Sequence, residues 1–134
     1  MQIALITALS LHILSSVFWA GTSFTLARTG GVGSDRLFRP QMGAATIAVL
    51  TGGYLGHLVH ASSFGTSEQI LTVGALAALI AAGVQGAIGG RAIRSLRAGT
   101  ADEAGARSRI ATAQRVAAAL LAVTAVCMGA ARYA

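Results

Sequence analysis

The chain has 134 residues, a mean hydropathy of +0.70 and only 10 % charged residues. A soluble domain normally carries about 25 % charged residues, so this composition excludes an ordinary soluble domain and points to an integral membrane protein. The net charge is +6, but all the basic residues are arginines lying in short stretches between apolar blocks. No basic stripe interleaved with aromatics is present, and nucleic acid is not an expected partner.

Four segments are long enough to cross a bilayer core, which needs about 20 apolar residues as helix. The first runs from about Ile3 to Ala27. A secretory signal would carry a basic start, and the first basic residue here is Arg28, so the segment reads as a span. The glycine-rich stretch Thr29–Ser34 reads as a loop. The second span runs from about Pro40 to Ser62, with Pro40 suited to a first helical turn. The third covers about Gln69 to Ile93; Ala98–Ala106 reads as a loop, and the fourth span covers about Ile110 to Tyr133.

Arginine placement orients these spans. Arg28, Arg36 and Arg39 fall in the first connection, and Arg91, Arg94, Arg97, Arg107 and Arg109 flank the third. Arg115 sits just inside the fourth span, and the opposite side carries only Arg132. The positive-inside rule then makes the first and third connections cytoplasmic and puts both termini outside. Short connections imply an all-α, up-down-up-down four-helix bundle forming a single transmembrane domain over residues 1–134. Gly52 with Gly56, and Gly86 with Gly90, form G-x-x-x-G pairs that let helix backbones approach closely.

The candidate chemistry lies in three histidines. His57 and His60 are one helical turn apart in the second span, and His12 lies in the first. At 1.5 Å per residue, His12 is about 13 Å inside the outer rim, and His57 and His60 about 8 and about 5 Å. Ionisable groups are costly in hydrocarbon and tend to be functional there. Imidazoles facing each other across two helices of a bundle suit bis-histidine ligation of a haem iron. His12 and His57 are the expected ligands, with His60 as the alternative; His60 is also shallow enough to be wetted by headgroups. Gly53 leaves room for a flat macrocycle beside His57, and Tyr54 offers a hydrogen bond to a propionate or an imidazole. Ser15, Ser16 and Trp19 follow His12 at helical spacing, where a hydroxyl would orient the imidazole.

Copper is the rival cofactor. Cys127 and Met128 lie in the same outer layer and supply soft sulfur, which suits Cu(I). Being consecutive, they point about 100° apart on a helix, and no Met-x-x-Met or Cys-x-x-Cys spacing supports them.

Leu11-His12-Ile13 followed by Trp19-Ala20-Gly21 resembles the opening helix of the superfamily that holds the HemJ-type protoporphyrinogen oxidases and the membrane domain of copper-resistance protein D (CopD). The arginine-flanked entry to the second span, Arg36 to Met42, and the arginines from Arg91 to Arg97 continue the likeness. The resemblance implies a b-type haem in a small helical bundle, with His12 matching the first-helix histidine. It departs from the HemJ pattern in lacking that family's third-helix lysine, since the chain has no lysine at all.

Asp35, Asp102, Glu103 and Glu68 all fall in connections, which leaves histidine as the one acid–base group expected within the membrane. The expected function is therefore haem b-based electron transfer in a bacterial inner membrane, with a quinone, a redox protein or a larger membrane complex as partner. Membrane lipids, and a second copy of the chain, complete the set of candidate partners. The alternatives are a small haem oxidoreductase of protoporphyrinogen-oxidase type, copper transport, and an accessory structural subunit of a larger membrane complex.

Overall fold

A computed structural model describes residues 2–60, 65–100 and 102–134 of the chain. Helix α1 spans Gln2–Arg28, α2 Ser34–His60, α3 Thr66–Val84, α4 Gly90–Ala98 and α5 Glu103–Ala131. A single π-helical turn, Gln85–Gly89, joins α3 to α4 without breaking the rod. Four helical rods result, each long and apolar enough to cross a membrane, with mean hydropathies between 1.3 and 1.9. In hydrocarbon every backbone N–H and C=O must find its partner within the chain, and the helix achieves this locally.

The connections differ in how they reverse the chain. Between α1 and α2, Gly30, Gly31 and Gly33 adopt φ of +68°, +86° and +89°. Only glycine enters that region without a Cβ clash, so Thr29–Gly33 turns the chain tightly. At the end of α4, Gly99 has φ +68°, and its N–H and that of Thr100 bond to the carbonyls of Leu96 and Ser95. These are the paired bonds of a Schellman cap. Asp102 then caps α5 by accepting from the Gly105 N–H at 3.1 Å.

Two helix starts differ from the sequence expectation. Helix α2 begins six residues before Pro40, so the proline lies inside the helix rather than in its first turn. The preceding turns hold because Arg36 and Leu37 bond back to the Gly33 carbonyl and the Phe38 ring packs on Gly90. Helix α5 likewise starts at Glu103, where the Asp102 cap outweighs the polar composition of the segment.

The core is built of small side chains around one large one. Trp19, Ala44, Ala45, Ala48, Ala81, Ala117 and Leu121 form a continuous buried cluster contributed by all four rods. Helix α5 is the most enclosed: 44 % of its most apolar stretch is buried, against 17 % for α1 and α2. It packs on α1 and α3, while α1 also packs on α2. Thr124 donates its hydroxyl to the Gly74 carbonyl at 2.9 Å, and a Cβ on Gly74 would lie 2.9 Å from that of Cys127. There α3 and α5 meet nearly backbone to backbone. The expected G-x-x-x-G pairs act otherwise: Gly52 receives the His12 ring and Gly90 the Phe38 ring, while nothing lies within 4 Å of a Cβ built on Gly56.

Candidate functional site

Helix α1 carries His12 three residues from its midpoint, about 4.5 Å off centre along the axis. Its ring lies against α2, where a Cβ on Gly52 would sit 3.0 Å from His12 Cε1. The missing side chain at position 52 is what admits the imidazole. His12 Nδ1 lies 2.9 Å from the Ala48 carbonyl oxygen and 3.1 Å from Thr51 Oγ1. A carbonyl only accepts, so Nδ1 carries the proton and donates it. The Thr51 hydroxyl donates to the Ile47 carbonyl at 2.6 Å, which leaves its oxygen free to accept from the imidazole. His12 is thereby fixed as the Nδ1–H tautomer, with its lone pair on Nε2.

The other residues singled out in the sequence separate from it. His57 is exposed, as are Gly53 and Tyr54. His57 follows Gly52 by five residues, hence about 140° around the helix and about 7.5 Å further along. The two imidazoles therefore do not face each other, which corrects the expectation of convergence between α1 and α2. The physical reason is the rotation of α2. Gln41, Ala45, Ala48 and Gly52 form its inward stripe, and Gly53, Tyr54 and His57 fall on the outward one. The side chain of His60 lies outside the described residues.

The hydroxyl that orients His12 comes from Thr51 on α2, not from the neighbours on α1. Ser15 bonds back to the carbonyls of Leu11 and His12. Ser16 is half-buried, and Trp19 is turned to the bundle centre. A hollow of about 350 Å³ lies between the terminal ends of α1 and α2, lined by Gln2, Leu5, Leu58 and Val59. Among the described residues, no histidine lines it. Cys127 is wedged against Gly74, while Met128 is exposed. Among the described residues no cluster of three His, Cys, Asp or Glu side chains is placed to hold a metal.

Sequence reasoning missed the most ordered polar feature of the molecule, a knot of side-chain amides. Gln85, fully buried at the start of the π turn, accepts from Trp19 Nε1 at 2.6 Å. Its own Nε2 donates to Ser23 Oγ at 2.7 Å and to Gln114 Oε1 at 3.0 Å. Gln41 and Gln114 bond reciprocally, at 3.2 and 3.1 Å. Gln41 Nε2 also lies 3.1 Å from Thr22 Oγ1 and 3.2 Å from Ser23 Oγ. One glutamine each from α2, from the turn after α3 and from α5 thus meets Trp19 and Ser23 of α1. Among the described residues no buried side-chain N or O is left unbonded. At 1.5 Å per residue the knot lies about 25–32 Å from the terminal ends of the four rods, at the far edge of a 30 Å hydrocarbon core.

The signal for the knot was present in the sequence: Gln85 is embedded in an apolar run, and Gln41 and Gln114 each sit close to an arginine at the same end of their spans. A search of known families, curated proteins and solved structures gives no match to this chain.

Proposed function

We propose that the chain is a haem b-binding redox protein of the bacterial inner membrane, its arginine-rich end inside, in which His12 ligates the iron. The observation that carries this reading is the fixed tautomer of His12. Metal-ligating histidines commonly donate their second ring N–H to a carbonyl or carboxylate, which sets ring orientation and raises ligand basicity. Here Ala48 and Thr51 take that N–H, and Nε2 keeps its lone pair in the middle of a membrane-spanning helix. The resemblance of Leu11-His12 and Trp19-Ala20-Gly21 to the HemJ and CopD superfamily points to the same residue.

Among the described residues the donor set offers one ligand, His12, because His57 faces away from it; His60, the alternative second ligand, lies outside them. The reading accordingly rests on His12. Bound haem supplies a one-electron couple. Of the chain's own groups, His12 binds, and Ala48 and Thr51 hold its ring. With His12 as the one described residue that would hold the group, an oxidoreductase role of the porphyrinogen-oxidase kind stays within the proposal.

A second reading, an accessory subunit of a larger membrane complex, is favoured by the amide knot. It ties all four rods and leaves none of its polar atoms for chemistry. An optical spectrum of the purified protein separates the readings. Electron transfer predicts a b-type reduced-minus-oxidised spectrum and a pyridine haemochrome that is lost in His12→Ala. Unchanged haem occupancy in that variant would remove His12 as the ligand. Protein free of haem that co-purifies with a fixed membrane partner would favour the accessory role.

A further inference from the structure

We infer that the seam between α2 and α4, at the arginine-rich end, binds an anionic phospholipid through four guanidinium groups. The seam is set by two contacts. The Phe38 ring on α2 lies 3.1 Å from where a Cβ on Gly90 would be, and Arg97 on α4 donates to the Asp35 carbonyl at 3.0 Å. Arg36 and Arg39 are i, i+3 on α2, and Arg91 and Arg94 are i, i+3 on α4. Each pair therefore shares a helix face, and the two contacts set the helix segments that carry the pairs side by side. All four are exposed.

None of the four has an acidic partner among the described residues. Among the described residues an arginine–carboxylate pair is formed by Arg107 with Glu103, at 3.2 Å. The depth is that of lipid phosphates. Counted from the terminal ends of their rods, Arg39, Arg36 and Arg91 lie about 31–38 Å along the helices, in the headgroup layer that borders a 30 Å apolar core. Arg94 lies about one turn further out. Deeper in the seam Met42 Sδ lies 3.9 Å from a Cβ built on Gly86, so that Phe38 and Met42 offer an apolar bed beneath the charges. A water-soluble anion has no use for that bed, whereas an acyl chain does. Arginine, unlike lysine, binds phosphate oxygens in a two-pronged fashion, and every basic residue of this chain is arginine. A headgroup with two phosphates, as in cardiolipin, matches two guanidinium pairs.

The test uses the full-length protein in neutral detergent, titrated with cardiolipin, phosphatidylglycerol, phosphatidylcholine or inorganic pyrophosphate. Bound lipid is read by native mass spectrometry and stabilisation by the melting temperature. Cardiolipin should be retained and should raise Tm, phosphatidylglycerol less so, and phosphatidylcholine not at all. Removing one basic residue near a membrane surface weakens attraction to anionic lipid by about fivefold. R36Q/R39Q and R91Q/R94Q should each lose most of the retention, while R132Q, at the opposite end, keeps it. Equal retention of zwitterionic and anionic lipid by the unaltered protein would overturn the proposal, even if the variants did not fold. Full stabilisation by pyrophosphate would also overturn it, in favour of a soluble phosphate ligand.

Discussion

The two polar layers of this bundle solve the same problem in opposite ways. Towards the arginine-rich end, Gln41, Gln85, Gln114, Trp19 and Ser23 bond to one another across all four rods. Towards the terminal end, His12 bonds to a single neighbouring helix and retains a lone pair, and His57 is exposed. A polar network buried in low dielectric rigidifies a fold when every member is satisfied. One that leaves an acceptor open invites a ligand. The closed layer thus serves as the clasp of the bundle, and the open one is where the proposed ligand would bind.

The largest test of that contrast is Gln85→Leu. It conserves volume roughly but orphans Trp19 Nε1 and removes one of the bonds accepted by Ser23 Oγ and by Gln114 Oε1, each of which keeps its bond from Gln41. Interhelical hydrogen bonds in membranes are worth about 0.6–1.7 kcal/mol each, and buried orphans cost about 1–3 kcal/mol. Unfolding in mixed micelles should therefore show a loss of about 2–4 kcal/mol. No measurable loss would mean that packing, not the amides, clasps the rods.

Gly74→Ala should come next, at about 1–3 kcal/mol, the usual cost of overpacking. Its new methyl would lie 2.9 Å from Cys127 Cβ, and Thr124 already bonds to the Gly74 carbonyl, so neither backbone can withdraw freely. Cys127→Gly in the same chain should recover part of the loss. Failure of that rescue would place the strain elsewhere. The smallest effect should be that of His57→Ala, within about 0.5 kcal/mol, as for exposed positions away from special contacts. Haem content should also be unchanged in His57→Ala. A drop there matching that of His12→Ala would restore the two-imidazole site that the rotation of α2 argues against.

The spans were legible because hydropathy and length are local properties. Hydropathy ends the third rod near Ile93, yet it runs as helix to Ala98. Its last turns present Arg91, Arg94 and Arg97 to one side and Ala92, Ile93 and Leu96 to the core, a pattern that mean hydropathy underrates. The π turn at Gln85–Gly89 has no signature of its own in the sequence. It is known only from the ladder it interrupts, and it turns Gln85 into the bundle. Spacing along α1 pairs Trp19 with His12, yet its hydrogen-bond partner, Gln85, lies 66 residues away. Nothing in the spacing along α1 could have named it.

The sequence by itself determined the number of crossings, the arginine-rich end and the apolar length of each rod, because the cost of placing peptide groups and charges in hydrocarbon is counted residue by residue. Which faces meet was decided only in the assembled bundle. A helix can turn about its own axis without changing its hydropathy. The rotation of α2 was fixed by packing the small stripe Ala45, Ala48 and Gly52 and by bonding Gln41 to partners on α1 and α5. His57 stands nine residues from Ala48, about 180° around the helix. The same rotation that brought the Ala48 carbonyl to His12 turned His57 outward.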